Sequence, residues 1–342
     1  MSDAHQKNRQ WRVAAPPDGR LTEGNFTWAE SEVPEIRPDT AIVRNLWFSF
    51  DPTQILAMGV PAEQGGVPVG GVMHTIAVSQ VIDSQIPALR PGDIVHGQSY
   101  WEDYSRIEEH GYFETTRVPP GVPPNLALGT LGVTGMVAYF GMTEVARPQP
   151  GETCVVTAAA GGVGSIAAQI GRIKGLRVIG IAGGREKCDW LRKEARIAEA
   201  IDHRTEDVAA RLDALCPDGI DIFFDNVGGP VLDLGLDRIR THGRVVLCGI
   251  TSWYLLKDRP PGPTRYPNLI MKNARMEGLL GKDYQDRFPE AAPVLLGWLR
   301  SGELTSKEDV AVGLENAPRT LVRMYESANI GKQLLKVADP DP

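Results

Sequence analysis

The run Ala159-Ala160-Gly161-Gly162-Val163-Gly164 limits what this chain can fold into more than any other segment. The apolar stretch Thr153–Ala158 precedes it and reads as a buried strand. Gly164–Lys174 comes next, with Ile166, Ala167, Ile170 and Ile173 at helical spacing. Strand, glycine loop and helix in that order match the dinucleotide fingerprint, with alanine at the first glycine place. Gly161 would let the backbone approach a pyrophosphate, and Gly164 would let helix pack closely on strand. Free N–H groups and the dipole at the helix start, around Gly162 and Val163, suit an anion.

The rest of the central region keeps the same rhythm. Leu176–Ala182, Ala198–Ile201, Ile220–Asp225 and Arg244–Cys248 read as strands. Arg185–Arg196, Asp207–Cys216 and Pro230–Ile239 read as helices between them. The alternation predicts an α/β, Rossmann-type doubly wound parallel sheet. Before it, Arg9–Val118 holds short β-rich pieces such as Thr40–Phe48, Gly71–Ile82 and Asp93–Val95. The prolines of Pro119–Pro124 mark a connector. We divide the chain into a β-rich domain, 1–128 with 299–342, and a nucleotide-binding domain, 129–298.

The end of the second strand distinguishes nicotinamide cofactors. A site for the unphosphorylated ribose wants an acid there. The sequence reads Ala182-Gly183-Gly184-Arg185-Glu186-Lys187, with two cations and no acid at the strand end. Charge-assisted hydrogen bonds to a 2′-phosphate favour NADP. Arg185 and Lys187 also fit a solvated helix start, and Glu186 weakens the argument. In a doubly wound sheet, ligands bind at the carboxyl ends of strands. Asn226 with Gly228-Gly229 stands at one such end and Cys248-Gly249 at another. Asn226 and its glycines fit a simple turn as well. Tyr254 lies a few residues on, either as a hydrogen-bond donor to a substrate oxygen or as a pocket wall.

Other classes of function fit poorly. The 342 residues carry 36 basic and 43 acidic side chains, net −7, which argues against nucleic acid. No apolar run is long enough to span a membrane. The polar start lacks a secretory h-region, which predicts a cytoplasmic protein. Cys154, Cys188, Cys216 and Cys248 stand far apart, with no CxxC pair, as a reducing compartment allows. None of the six histidines forms an HExxH or Cys/His metal pattern, so no metal is expected.

Several segments resemble one family. Asn8-Arg9-Gln10-Trp11, Trp101-Glu102-Asp103-Tyr104-Ser105, Gly129–Gly141, Ala158–Ser165, Gly180–Lys187, Phe224–Gly229 and Asn329-Ile330-Gly331-Lys332-Gln333 are similar to motifs of the zinc-independent medium-chain dehydrogenases/reductases. Within them the chain resembles the NADPH-dependent alkenal/enone double-bond reductases, of the prostaglandin reductase and curcumin reductase type. The resemblance implies a GroES-like substrate domain, NADPH in a cleft between two domains, and a homodimer. By motif position it implies Lys187 at the 2′-phosphate and Gly161, Gly162 and Val163 at the pyrophosphate. It further implies Asn226 and Asn329 on NADP, Thr134 and Gly135 near the nicotinamide, and Tyr254 beside the substrate carbonyl.

Three places depart from the family pattern. Asp51-Pro52-Thr53-Gln54-Ile55 stands where the family has DPYMR, Gly132–Gly135 replaces GMPG, and His203 replaces a tyrosine near the 2′-phosphate. His203 with Arg204 still suits an anion. The expected reaction is hydride transfer to the β-carbon of an apolar α,β-unsaturated ketone or aldehyde. Trp47, Trp101, Trp253, Tyr254 and Tyr266 are candidate pocket walls, or core. The alternatives are an NADPH quinone reductase and a non-catalytic NADPH-binding protein.

Overall fold

In a computed structural model, residues 7–110, 113–258 and 260–341 are described. They fall into two units, Met1–Leu128 with Glu308–Pro342, and Gly129–Lys307.

The second unit is built on a six-stranded sheet, parallel throughout. Its spatial order is Glu199–Asp202, Arg177–Ala182, Thr153–Val156, Ile220–Asp225, Ile239–Leu247 and Arg275–Gly278. Counted along the chain this is 3-2-1-4-5-6, the doubly wound order. Cys154, Val155, Val156, Phe223 and Phe224 are fully buried, as strands covered on both faces require. Val155, Ile179, Phe223 and Val245 share a core with Leu212 and Leu236 of the covering helices.

Two elements differ from the sequence reading. The fifth strand starts at Ile239 rather than Arg244, because a register shift at Ile220/Ile222 takes up the extra residues. The sixth, Arg275–Gly278, gives no sequence signal because it is short and polar, as an edge strand with one neighbour can be. Residues 299–307 group with this unit. The buried Gln169 amide holds them, donating to the Thr305 carbonyl (3.0 Å) and accepting from the Thr305 N–H (2.8 Å).

The first unit is mostly antiparallel. Its larger sheet runs Glu308–Val312, Lys332–Lys336, Thr40–Ser49, His74–Ser84, Ile94–Tyr100, Thr116–Arg117, with Tyr104–Glu108 also pairing to Thr40–Ser49. Lys7–Val13 and Phe26–Glu32 form a separate hairpin-like pair. Trp101 is fully buried between Phe26 and Phe50, so it is core rather than pocket wall. Trp47 packs on the Val78, Ala127, Leu128 and Leu334 cluster.

The segment around Glu102 does structural work. Asn8 Nδ2 donates to Glu102 Oε2 (2.9 Å) and to the Tyr104 carbonyl (2.8 Å). Ser105 Oγ donates to Glu102 Oε1 (2.9 Å). Burial nevertheless dominates and pushes the Glu102 carboxyl up to about 7, while burial pushes the His96 imidazole down to about 4. Their contributions to stability have opposite signs. The Glu102 contribution is full at low pH and is lost as pH rises through about 7. The His96 contribution is full above the usual imidazole range and is lost as pH falls through about 4. Glu102→Gln should therefore gain on the wild type as pH rises from 5 to 7.5, by about 3 °C or more in Tm. His96→Gln should gain as pH falls over the same range. Thermal scans that stay parallel to the wild type in both variants would refute the assignment.

Candidate functional site

The fingerprint loop continues the central strand. Thr157 N–H donates to the Phe224 carbonyl (3.0 Å) and Ala159 N–H to that of Ile181 (2.9 Å), so the loop is held by both neighbouring strands. Ala158 turns with φ +47°, an unusual value for a residue bearing a Cβ. Helix Gly162–Ile173 then begins. A Cβ on Gly164 would lie 2.3 Å from the Ala158 carbonyl oxygen, so only glycine fits. On Gly161 its nearest neighbour would be the same oxygen at 3.2 Å, which leaves one side of the loop open. Gly162 and Val163, both half-buried, contribute N–H groups that a helix leaves without internal partners. These features fit a bound pyrophosphate.

The second strand ends at Ala182, and helix Arg185–Lys193 starts two residues later. A Cβ on Gly183 would meet His203 Nε2 at 2.7 Å and Arg204 Nε at 3.0 Å. The imidazole and guanidinium thus lie directly against this glycine. Arg185 is exposed and faces Asp189 at 4.0 Å, which makes it a solvated helix start. Lys187, further into the helix, is half-buried. His203 and Arg204, set against Gly183, line a turn that could take a 2′-phosphate.

The carboxyl ends of the fourth and fifth strands are stitched together by Asp225. Its carboxylate is fully buried and accepts from Thr157 Oγ1 (2.7 Å), Val227 N–H (3.0 Å) and Gly228 N–H (2.9 Å). Burial raises its pKa against the pull of these donors. Asn226 Nδ2 donates to the Thr157 carbonyl (2.8 Å), so this amide anchors the fingerprint strand. Cys248 and Gly249 N–H groups donate to the Asp225 carbonyl, at 2.8 and 3.1 Å. A Cβ on Gly249 would sit 2.8 Å from the Asn226 carbonyl oxygen. Ser252 Oγ donates to the Val227 carbonyl (2.7 Å), tying the loop that carries Tyr254 to the one after Asn226. Tyr254 is half-buried and burial raises its pKa, so the hydroxyl keeps its proton at neutral pH. Burial pushes the Cys248 thiol up to about 12, which makes it an unreactive wall.

Thr134 lies buried in helix Val133–Phe140 of the same unit. A Cβ on neighbouring Gly135 would be 1.8 Å from the Thr130 carbonyl oxygen. Asn329 belongs to the first unit, where it is buried and donates to the Gly331 carbonyl (2.9 Å). The segment that departs from the family pattern lies there too. Thr53 is exposed, Ile55 is core, and Gln54 is buried, with its amide bonded to the Asp51 N–H (3.0 Å) and the His74 carbonyl (2.9 Å). Among the described residues, no group of three or more His, Cys, Asp or Glu could hold a metal ion.

Residues 9–115 match the family model described as the N-terminal domain of oxidoreductase, and residues 162–297 that described as zinc-binding dehydrogenase. The chain is 36% identical, over the full length of both, to NADPH-dependent curcumin reductase of Escherichia coli K12. It is 37% identical to the NADP(+)-dependent 2-alkenal reductase of Nicotiana tabacum, with 90% of each chain covered. The chain belongs to the double-bond reductase branch of the medium-chain dehydrogenases/reductases. The solved structure of CurA from Vibrio vulnificus in complex with NADPH is similar with a TM-score of 0.90 and 35% identity, covering 97% of this chain and all of the other.

For this medium-chain reductase, sequence reasoning missed Thr157, Asp225 and Asp202. A signal was present. Each is a polar residue at the carboxyl end of an otherwise apolar strand, where only a fixed hydrogen bond justifies burial. The glycine geometry gives a test. Gly164→Ala should cost about 2–3 kcal/mol and weaken nucleotide binding, because the obstacle is backbone. Gly297 lies in helix Phe288–Ser301, where an added Cβ would meet nothing within 4 Å, so Gly297→Ala should stabilise. The gain should be up to about 1 kcal/mol. Urea unfolding that ranks the two variants equally would contradict this geometry.

Proposed function

We propose that this reductase uses NADPH to saturate the C=C bond of apolar α,β-unsaturated ketones or aldehydes. Tyr254 carries the proposal. Its hydroxyl is half-buried and protonated, on a loop pinned to the carboxyl end of the sheet that bears the fingerprint. Gly161, Gly162, Val163 and Gly164 would hold the pyrophosphate, and Gly183, Lys187, His203 and Arg204 the 2′-phosphate. Thr134, Asn226, Cys248 and Gly249 would line the remainder within the second unit. Bound NADPH supplies hydride for the β-carbon of the acceptor.

The chain's own task is then electrostatic. Negative charge grows on the substrate carbonyl oxygen as an enolate forms. The Tyr254 O–H donates a hydrogen bond to that oxygen and stabilises it more than the ground-state carbonyl. Solvent can protonate the α-carbon, so no further acid is needed. The surrounding walls orient the acceptor and exclude water.

A homodimer is part of the reading. Among the described residues, strand Arg275–Gly278 is an edge of the sheet with one neighbour, and Ile270 and Met271 just before it are each 78% exposed. An apolar surface next to an open edge is best covered by a second copy. The cysteines support a reducing cytoplasm, since Cys154, Cys188 and Cys216 are buried free thiols and Cys248 is half-buried and free. No helix of the described residues is long and apolar enough to cross a membrane.

The purified protein should consume NADPH in preference to NADH with alkenals and aryl enones, and release the saturated product. Turnover of quinones alone would replace this reading by quinone reduction, and cofactor binding without turnover by a binding protein. Tyr254→Phe should lower kcat about 100-fold, the effect of losing one oriented donor worth roughly 3 kcal/mol. An unchanged kcat would remove Tyr254 from the mechanism. Ile270→Glu with Met271→Glu should shift the protein to monomer in sedimentation velocity. A dimer that survives both substitutions would place the interface elsewhere.

A further inference from the structure

The second and third strands of the parallel sheet end side by side, with Ala182 paired to Asp202. Their chains then part into different turns. The ladder adds one further bond, from His203 N–H to the Ala182 carbonyl (3.0 Å). Beyond it, one side chain joins the two turns. Asp202 Oδ1 accepts from the Gly184 N–H at 2.7 Å and from the Arg204 N–H at 3.0 Å. The Asp202 side chain is buried, and the Gly184 N–H is the main cause holding its carboxyl below the usual range.

The rest of the Asp202 residue is fixed as firmly. Its N–H donates to Glu206 Oε1 (2.8 Å), and its carbonyl accepts from the Thr205 and Glu206 N–H groups (3.1 and 2.9 Å). Glu206 is paired in turn with Arg211 at 2.8 Å. Gly184, at φ +96°, supplies the N–H in a backbone conformation that side chains disfavour. The result is the close approach of His203 Nε2 and Arg204 Nε to Gly183.

We infer that Asp202 is the positioning residue of the 2′-phosphate site: by bridging the Gly184 and Arg204 amides, its carboxylate holds His203 and Arg204 over the Gly183 turn. The inference rests on the NADPH reading. It assigns Asp202 a role opposite to that of the strand-end acid in NAD sites, which accepts from ribose hydroxyls. Here the acid is one strand over and its Oδ1 serves two backbone amides. The His203 and Arg204 side chains are left to the phosphate. Because the bridge needs acceptor geometry rather than charge, an amide at this place can replace the acid.

The test uses two fragments, 2′,5′-ADP and 5′-AMP, titrated calorimetrically into wild type, Asp202→Ala and Asp202→Asn. The wild type should bind 2′,5′-ADP about tenfold or more tighter than 5′-AMP, as charge-assisted bonds to one phosphate allow. Asp202→Ala should lose about tenfold for 2′,5′-ADP and change less than about twofold for 5′-AMP. Asp202→Asn keeps an Oδ1 acceptor and should stay within about threefold of the wild type for both. If Asp202→Ala does not fold, Asp202→Ser, too short to span both amides, takes its place. Retained preference in Ala, equal weakening of both fragments, or collapse in Asn as deep as in Ala would each overturn the inference. A wild type that does not distinguish the fragments would instead refute the NADPH reading, and this inference with it.

Discussion

The hydrogen bond from Thr157 Oγ1 to the buried Asp225 carboxylate (2.7 Å) holds the site together. It joins the ends of the two central strands at the level where the sheet gives way to loops. Through Asp225 it fixes the turn at Val227 and Gly228, and through the Asp225 carbonyl the start of the loop at Cys248. Through Thr157 it fixes Asn226, whose N–H donates to the same hydroxyl (2.8 Å). Remove that contact and the fingerprint loop, the Asn226 turn and the Tyr254 loop lose their common reference. Burying a charge this deeply is costly without partners. The three donors on Asp225 make the burial tolerable and confine the carboxylate to one geometry.

Asp202 repeats the device on the neighbouring pair of strands, and Glu102 repeats it in the first unit. In each case an acid at the end or corner of a sheet joins a donor distant in sequence to donors of its own turn. Asp225 and Asp202 take mainly backbone N–H groups, which cannot drift without breaking local structure. Glu102 takes side-chain donors, Asn8 and Ser105, and its carboxyl is pushed up to about 7. Burial pushes both Glu102 and Asp225 up in spite of their donors, whereas the Gly184 N–H holds the Asp202 carboxyl low.

Much of the second unit was legible in the sequence because its signals are local. A strand buried on both faces reads as Cys154-Val155-Val156, and a helix start reads as Gly161-Gly162-Val163-Gly164. The sixth strand was not legible, because an edge needs no apolar pattern and Arg-Met-Glu-Gly has none. The site was half legible. Glycines at 161, 164, 183 and 249 announce close approach, and the fold supplies the atom that each one would meet. The partners of the acids behind the loops were not legible. Asp202 and Asp225 look like ordinary turn residues until pairing across the sheet shows whose N–H groups they accept. For Trp101 the sequence left pocket wall and core open, and the fold decides for core.

The departures from the family pattern follow the same division between frame and reader. At His203 a side chain lying against Gly183 departs from the pattern, while the backbone that sets its place is held independently of its identity. An imidazole can occupy the place because its backbone N–H is still bound by Ala182 and its neighbour's by Asp202. At Asp51–Ile55 the balance is reversed. Asp51 pairs with the buried Lys332, Gln54 bridges the Asp51 N–H and the His74 carbonyl, and Ile55 packs in the core. Three of these five residues are frame, and Thr53 alone is exposed. Within this segment Thr53 can therefore vary without disturbing these buried contacts.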